Sequence, residues 1–259
     1  MPRPPGAPLT TSRRQAAPRV TMALQLEALR PGLQAEAFDL SVPQGETVTA
    51  YGTDTAALSG ILDLIAGFSP SMGGRVLVCG TDITSRPAGQ RGVTLISTRD
   101  PLFPHLDVQS NIVFALRAQG QKHAEADAGA GRMMSLLGLD GLGKAAPRSL
   151  SPEQTLRTML ARALVTSPAV LLLDNPFAAL DPQAARRMAS LLSKLTRARD
   201  LSILQSVSSK EDALRDGGPI AFFQSQHLLQ SGHPADSYDL PATAWVRPLL
   251  REANCPHGL

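Results

Sequence analysis

Cysteine, aromatic residues and long apolar runs are all scarce in this chain of 259 residues, and each scarcity removes a class of protein. The two cysteines, Cys79 and Cys255, lie far apart without metal-ligand spacing. That excludes a disulfide framework and a cysteine-ligated metal centre, and it fits a reducing compartment. The apolar runs, such as 61–68 and 169–173, fall well short of the roughly 20 residues that a membrane-spanning helix requires. Any link to a membrane is expected to run through a partner. Aromatics are only 4% of the residues, and Trp245 reads as a packing anchor rather than a ligand platform. Charge of one sign is lacking too: 25 Lys and Arg against 22 Asp and Glu leave a formal +3. With the basic groups dispersed, nucleic acid is not an expected partner. The first 21 residues contain no acid and no apolar core of a signal peptide, so residues 1–22 are expected to form a disordered tail. Arg13 and Arg14 lack the hydrophobic stretch that follows a twin-arginine export signal, and Met22 is an alternative start.

What is present is a 43% hydrophobic content, enough for a sizeable core. Two alternating stretches, 24–29 and 37–42, are broken by Arg30, Pro31 and Gly32 and read as a hairpin. A β-prone run at 47–51 leads through Gly52 into helical spacing at Leu58, Ile61, Leu62, Leu64 and Ile65, which stops at Gly67. Further strands are expected at 75–78, 92–96, 201–206 and 219–223. Between 108 and about 164 the pattern is mostly helical, with Gly/Ala-rich connections at 126–131 and 138–146. Residues 169–173 are continuously apolar and closed by Asp174, as suits a strand buried on both faces of a parallel sheet. A helix is expected over 182–197. Alternating strands and helices predict an α/β fold with a parallel sheet core, N-terminal antiparallel strands and an inserted helical subdomain.

The segments GETVTAYG (45–52), LDLIAGFSPSMGGRVLVCGTDIT (62–84), LFPHLDVQSNI (102–112), LSPEQ (150–154), LARALVTSPAVLLLDNPFAALDP (160–182) and EDAL (211–214) follow one another in a distinctive order and spacing. In that order they resemble the ATP-binding subunits of ABC transporters. Among these they look most like importer subunits for thiamine, and next most like those for ferric iron and polyamines. The resemblance implies a P-loop NTPase-like domain over 23–235, a helical subdomain at about 100–165 and a C-terminal tail at 236–259.

The resemblance also locates the residues that ATP chemistry would use, and most are replaced. A phosphate loop G-x-x-x-x-G-K-[ST] holds phosphates on backbone N–H groups, a lysine and a Mg²⁺-binding hydroxyl. Here Gly52 and Ser59 keep its ends, whereas Ala57 replaces the second glycine, Leu58 replaces the lysine and Asp54 adds a negative charge. The alternative reading of 52–59 is a plain strand-to-helix turn. Asp174 keeps the acid that orients Mg²⁺, or else caps the turn after its strand, but Asn175 stands where the family has a glutamate base. A positioned general base is worth about 10²- to 10⁴-fold in rate. Thr98 falls where the family has its glutamine, Ser208 where it has its switch histidine, and no aromatic stands near Arg30 or Pro31 to stack on adenine. In the signature loop Pro152 and Glu153 replace two glycines, removing an N–H and adding a charge expected to repel phosphate.

Only Gly52, Ser59 and Asp174 therefore remain as cofactor-binding candidates, with Ser59 and Asp174 the metal candidates, and no catalytic residue is assigned. ATP and Mg²⁺ are expected as ligands only so far as these three suffice. His105, His123, His227, His233 and His257 are scattered and read as loop or surface residues. The stretch 102–105 with Asn111 and Ile112 survives, and the resemblance implies a groove there for a permease's coupling helix. The same residues also serve if they only pack the subdomain. The reading is a degenerate, non-hydrolysing subunit of a membrane importer, peripheral on the cytoplasmic face of the cell membrane, docked on an integral permease and pairing as a homodimer or with another ABC subunit. Two alternatives stay open: a working importer ATPase with atypical groups, and a soluble regulatory protein without a permease.

Overall fold

The computed structural model describes residues 21–215 and 217–234. Most of the expected N-terminal tail, including Arg13 and Arg14, and all of 236–259, with Trp245, Cys255 and His257, lie outside the described residues. Alternating burial along the first strands builds a small antiparallel sheet. In it β1 (Met22–Arg30) pairs on one side with β2 (Phe38–Pro43) and on the other with β4 (Gly73–Val78), while β5 (Thr81–Asp82) adds the far edge.

The continuously apolar runs need cover on both faces, and they form the second sheet. It comprises β3 (Thr47–Tyr51), β6 (Val93–Ser97), β7 (Val170–Asp174), β8 (Ser202–Val207), β9 (Ile220–Gln224) and β10 (His227–Gly232), in the order β10-β9-β3-β8-β7-β6. All its neighbours run parallel except β10, which pairs antiparallel at one edge. Every residue of β7 and β8 is buried. β10 escapes sequence reading because none of its residues is fully buried and it shows no period of two.

Helix α1 (Thr55–Ala66) links the two sheets. Its Leu58, Ile61, Leu62 and Ile65 share one core cluster with Leu24, Leu26 and Val76 of the small sheet and with Val48, Leu172, Leu204 and Phe223 of the large one. Gly67, at φ 91°, ends the helix in the left-handed conformation that glycine adopts at least cost. The buried Arg91 donates to the carbonyls of Leu64 and Ile65 at that same end.

A second cluster covers the opposite face with α2 (Val108–Ala118), α3 (His123–Leu136), α4 (Pro152–Leu164) and α5 (Pro182–Arg199), and a short α6 (Lys210–Arg215) follows β8. One expectation fails here: residues 126–131 are not a connection, because α3 runs through them. Ala126 and Ala130 are fully buried, and a Cβ on Gly129 would stand 2.9 Å from Leu116 Cδ1 of α2. The small residues let two helices approach closely. The break falls instead at Gly120, at φ 84°. No helix among the described residues is long and apolar enough to cross a membrane.

Candidate functional site

The parallel register brings a row of polar residues to the carboxyl ends of three strands, the usual ligand-binding edge of an open α/β sheet. Ser97 of β6 pairs with Asp174 of β7, and Asp174 pairs with Ser206 of β8. All three are at least 94% buried, with exposures of 3%, 6% and 2%. Ser97 Oγ donates to Asp174 Oδ2 at 2.9 Å and Ser206 Oγ donates to Oδ1 at 3.1 Å. Ser59, near the start of α1, reaches both oxygens at 2.8 Å. Two of the three predicted site residues, Ser59 and Asp174, thus touch. Asp174 spends its acceptors on side chains of other segments and not on the turn after it, whose Asn175 N–H bonds to Ser206 and whose Ala178 N–H bonds to Asn175.

A fourth donor arrives from the loop after β6. Arg99 Nη2 lies 3.2 Å from Asp174 Oδ2, and its Nη1 and Nη2 grip both oxygens of Asp63 on α1 at 2.8 and 2.9 Å. The hydrogen bond to Asp63 is the main force holding the Arg99 pKa above its ordinary value, with the Asp63 and Asp174 charges adding to it.

At the N-terminus of α1 the loop is filled from within. Asp54 is the N-cap, and its side chain accepts from Ala57 N at 3.0 Å. A carboxylate thereby sits on an N–H at a helix start, where a phosphate would otherwise be held. Leu58 is 2% exposed and points into the core. Gly52, the third candidate, is tight against β9, since a Cβ there would stand 3.0 Å from Phe223 O and 3.5 Å from Leu58 Cδ1. A cleft of about 430 Å³ lies beside α1, and Gln34, Ala35, Asp54, Ala57, Gln226 and His227 line it, with no lysine or arginine among the described residues of its walls.

The start of α4 is satisfied in the same way. Ser151 and Gln154 form a reciprocal capping box, and Pro152 occupies the first turn, where its missing N–H costs nothing. Glu153 does not project as a free charge: Arg157 holds it at 2.8 Å and Arg187 of α5 at 2.6 Å. Glu153 thus forms an ion-pair bridge between α4 and α5.

The family model described as ABC transporter matches residues 35–178, more than half of the chain. The chain belongs to the ABC transporter family. It is 34% identical over 217 residues to the Fe(3+) ions import ATP-binding protein FbpC of Brucella abortus (strain 2308), across 84% of this chain and 62% of that protein. It is 36% identical over 216 residues to the spermidine/putrescine import ATP-binding protein PotA of Frankia alni, across 83% of this chain and 46% of that protein. The chain thus spans less than two thirds of the length of these curated relatives. Among solved structures it is similar to cbiO1 from Clostridium perfringens, described as part of the ABC transporter complex cbiONQ. The TM-score is 0.76 at 18% identity, over 86% of this chain and 92% of that one, which establishes the fold.

Within this ABC fold, Asn175 has φ 47°, a left-handed conformation that asparagine tolerates better than most side chains. Thr98 lies with Asp174, Pro152 and Met159 around a small pocket of about 190 Å³. Asn111 is fully buried and fixes the 103–107 loop: it accepts from Phe103 N and donates to the carbonyls of Phe103, Leu106 and Asp107. The site residues that sequence reading missed are Asp63, Ser97, Arg99 and Ser206. Strand-end register is the signal for the two serines; nothing local marks the Asp63–Arg99 pair.

The Glu153 bridge carries a pH signature. Its carboxyl is held below the ordinary glutamate value, first by the hydrogen bond from Arg187, against burial, with Arg157 assisting. A depressed folded-state value stabilises above the unfolded value, about 4.3, and the stabilisation is lost as pH falls through the folded one. Glu153→Gln is therefore expected to cost about 1 kcal/mol at neutral pH. In thermal melts the variant and parent should converge as pH falls through the lowered folded-state value; a gap that persists at the acid limit would show that the bridge acts through packing and not charge.

Proposed function

We propose that the chain is a non-hydrolysing ATP-binding-cassette subunit of a membrane importer, one that keeps the fold for docking and does not take up Mg-ATP. The observation that carries this reading is the self-filled site. Asp54 caps the helix that would meet phosphate, Leu58 is buried where a lysine is needed, and Arg99 with three serines saturates Asp174. The importer class is supported by relatives named for Fe(3+) and spermidine/putrescine import. The thiamine-type reading rests on motif resemblance alone. The proposed division is a domain over 23–235 with a helical subdomain at about 100–165.

Docking on a permease at the cytoplasmic face of the membrane is supported by a surface beside α2. Leu106, Gln109, Val113, Phe114 and Arg117 line a groove of about 700 Å³. Phe114 is half exposed and stacks edge-on with Phe103 at 4.8 Å, and Arg162 covers the Phe103 ring at 5.1 Å. Pairing as a homodimer or with another ABC subunit belongs to the same proposal.

Calorimetric titration with Mg-ATP tests it, with no saturable heat expected up to millimolar nucleotide. A ligand at a hundred times its Kd stabilises by about 2.7 kcal/mol. One millimolar Mg-ATP should accordingly leave the melting temperature unmoved, whereas a micromolar Kd would establish a working nucleotide site and end this reading. Membrane co-purification adds the second arm: a docked subunit brings an integral membrane protein with it, and a purely soluble regulator does not.

A further inference from the structure

ABC-type sites are expected to hold a divalent cation, and the residues of this one do not fit a metal. The two oxygens of Asp174 offer about four lone-pair sites. Four donors, Ser59, Ser97, Ser206 and Arg99, converge on them. Two of the three hydroxyls are oriented by bonds that they accept. Ser206 Oγ already accepts from Asn175 N at 3.1 Å, and Ser97 Oγ accepts from Arg99 N and Nε, each at 3.2 Å. Each hydroxyl is left its proton to donate to Asp174. Magnesium needs near-octahedral oxygen ligands at about 2.0–2.1 Å with their lone pairs available. Here they are spent, and among the described residues no group of three or more His, Cys, Asp or Glu is placed to hold a metal ion.

Positive charge is nevertheless present. Arg99 is fixed from several directions: a two-pronged grip on Asp63, a bond to Asp174 and two bonds to Ser97. Its planar fork bridges helix α1 to the end of β7, joining two acids that would otherwise repel. We propose that Arg99 is a built-in replacement for the divalent cation, so that this chain excludes magnesium and manganese and holds Asp63 and Asp174 together without them. The inference rests on the proposed non-hydrolysing role only in that both concern one site.

The full chain, titrated with Mn²⁺ and followed by the paramagnetic resonance of the free ion, provides the test. The wild type is expected to leave that signal unchanged through low-millimolar Mn²⁺, and Arg99→Lys should do the same because it keeps the charge. Arg99→Ala should lose several degrees of melting temperature, take up about one Mn²⁺ per chain, and regain part of the loss in roughly 10 mM MgCl₂ by preferential binding to the folded state. Sub-millimolar Mn²⁺ binding by the wild type, abolished by Asp174→Asn, would overturn the proposal. An Arg99→Ala protein that keeps its stability and gains no Mn²⁺ would do so equally. If Arg99→Ala does not fold, the wild-type and Arg99→Lys titrations still decide. ATP binding by the wild type in the presence of a chelator would end the nucleotide-free reading while supporting a metal-independent site.

Discussion

Leu58→Lys, which restores the residue type that a phosphate loop requires, is expected to lower the melting temperature by roughly 10 °C and to create no nucleotide site. Leu58 is 2% exposed in the cluster that joins the two sheets through α1. Emptying such a position of its leucine packing costs about 2–5 kcal/mol. A buried ammonium adds a desolvation penalty that the site relieves only by losing the proton or by pulling the side chain out of the core. A net loss of about 3–4 kcal/mol at 2–4 °C per kcal/mol gives the expected shift. Nor would an ammonium at 58 meet an open loop, because the Asp54 carboxylate already holds the Ala57 N–H. Adding Ala57→Gly and Asp54→Gly opens the loop but removes the cap, a further cost of a few tenths to about 2 kcal/mol. Thermal melts and Mg-ATP calorimetry on the single variant check this. An unchanged melting temperature together with micromolar binding would mean that position 58 is a phosphate-loop position in waiting and not a core position.

The contrast between positions 58 and 174 shows what the sequence could carry. Helix α1, its stop at Gly67 and the buried strand before Asp174 were legible, because period and glycine placement are local signals. Ser59 and Asp174 were legible as site candidates through the resemblance of their motifs to those of ABC subunits, and the structure brings the two together. The character of the site was not, because it depends on contacts between residues 36, 75 and 77 positions apart in Asp63–Arg99, Arg99–Asp174 and Ser97–Asp174. No periodicity encodes such meetings; the sheet register does. Glu153 makes the same point in reverse. Its partner Arg157, four residues on, could be read from helical spacing, whereas Arg187, 34 positions away, converts an apparent repulsive charge into a bridge. Residues 126–131 were misjudged because glycine and alanine serve equally as loop and as close-packing surface.

Asp174→Ala is the substitution whose sign separates a metal site from a structural hub. Where carboxylates converge to receive a cation, removing one in the metal-free protein relieves repulsion, and the variant is neutral or more stable. In this chain Asp174 is the common acceptor of Ser59, Ser97, Ser206 and Arg99, and Ser97 and Ser206 are at most 3% exposed. An orphaned buried donor costs about 1–3 kcal/mol. Arg99 keeps Asp63 and about half of its surface in water, so its share is small. The expected loss is about 3–5 kcal/mol, read by denaturant unfolding of the metal-free protein. Asp174→Asn should lose less, since its remaining carbonyl still accepts while its amide N–H groups face donors already in place. If Asp174→Ala unfolds at the same or a higher denaturant concentration than the parent, the carboxylate is not the clasp of strands β6, β7 and β8 to helix α1, and its place at the strand end would have to be explained by a ligand instead.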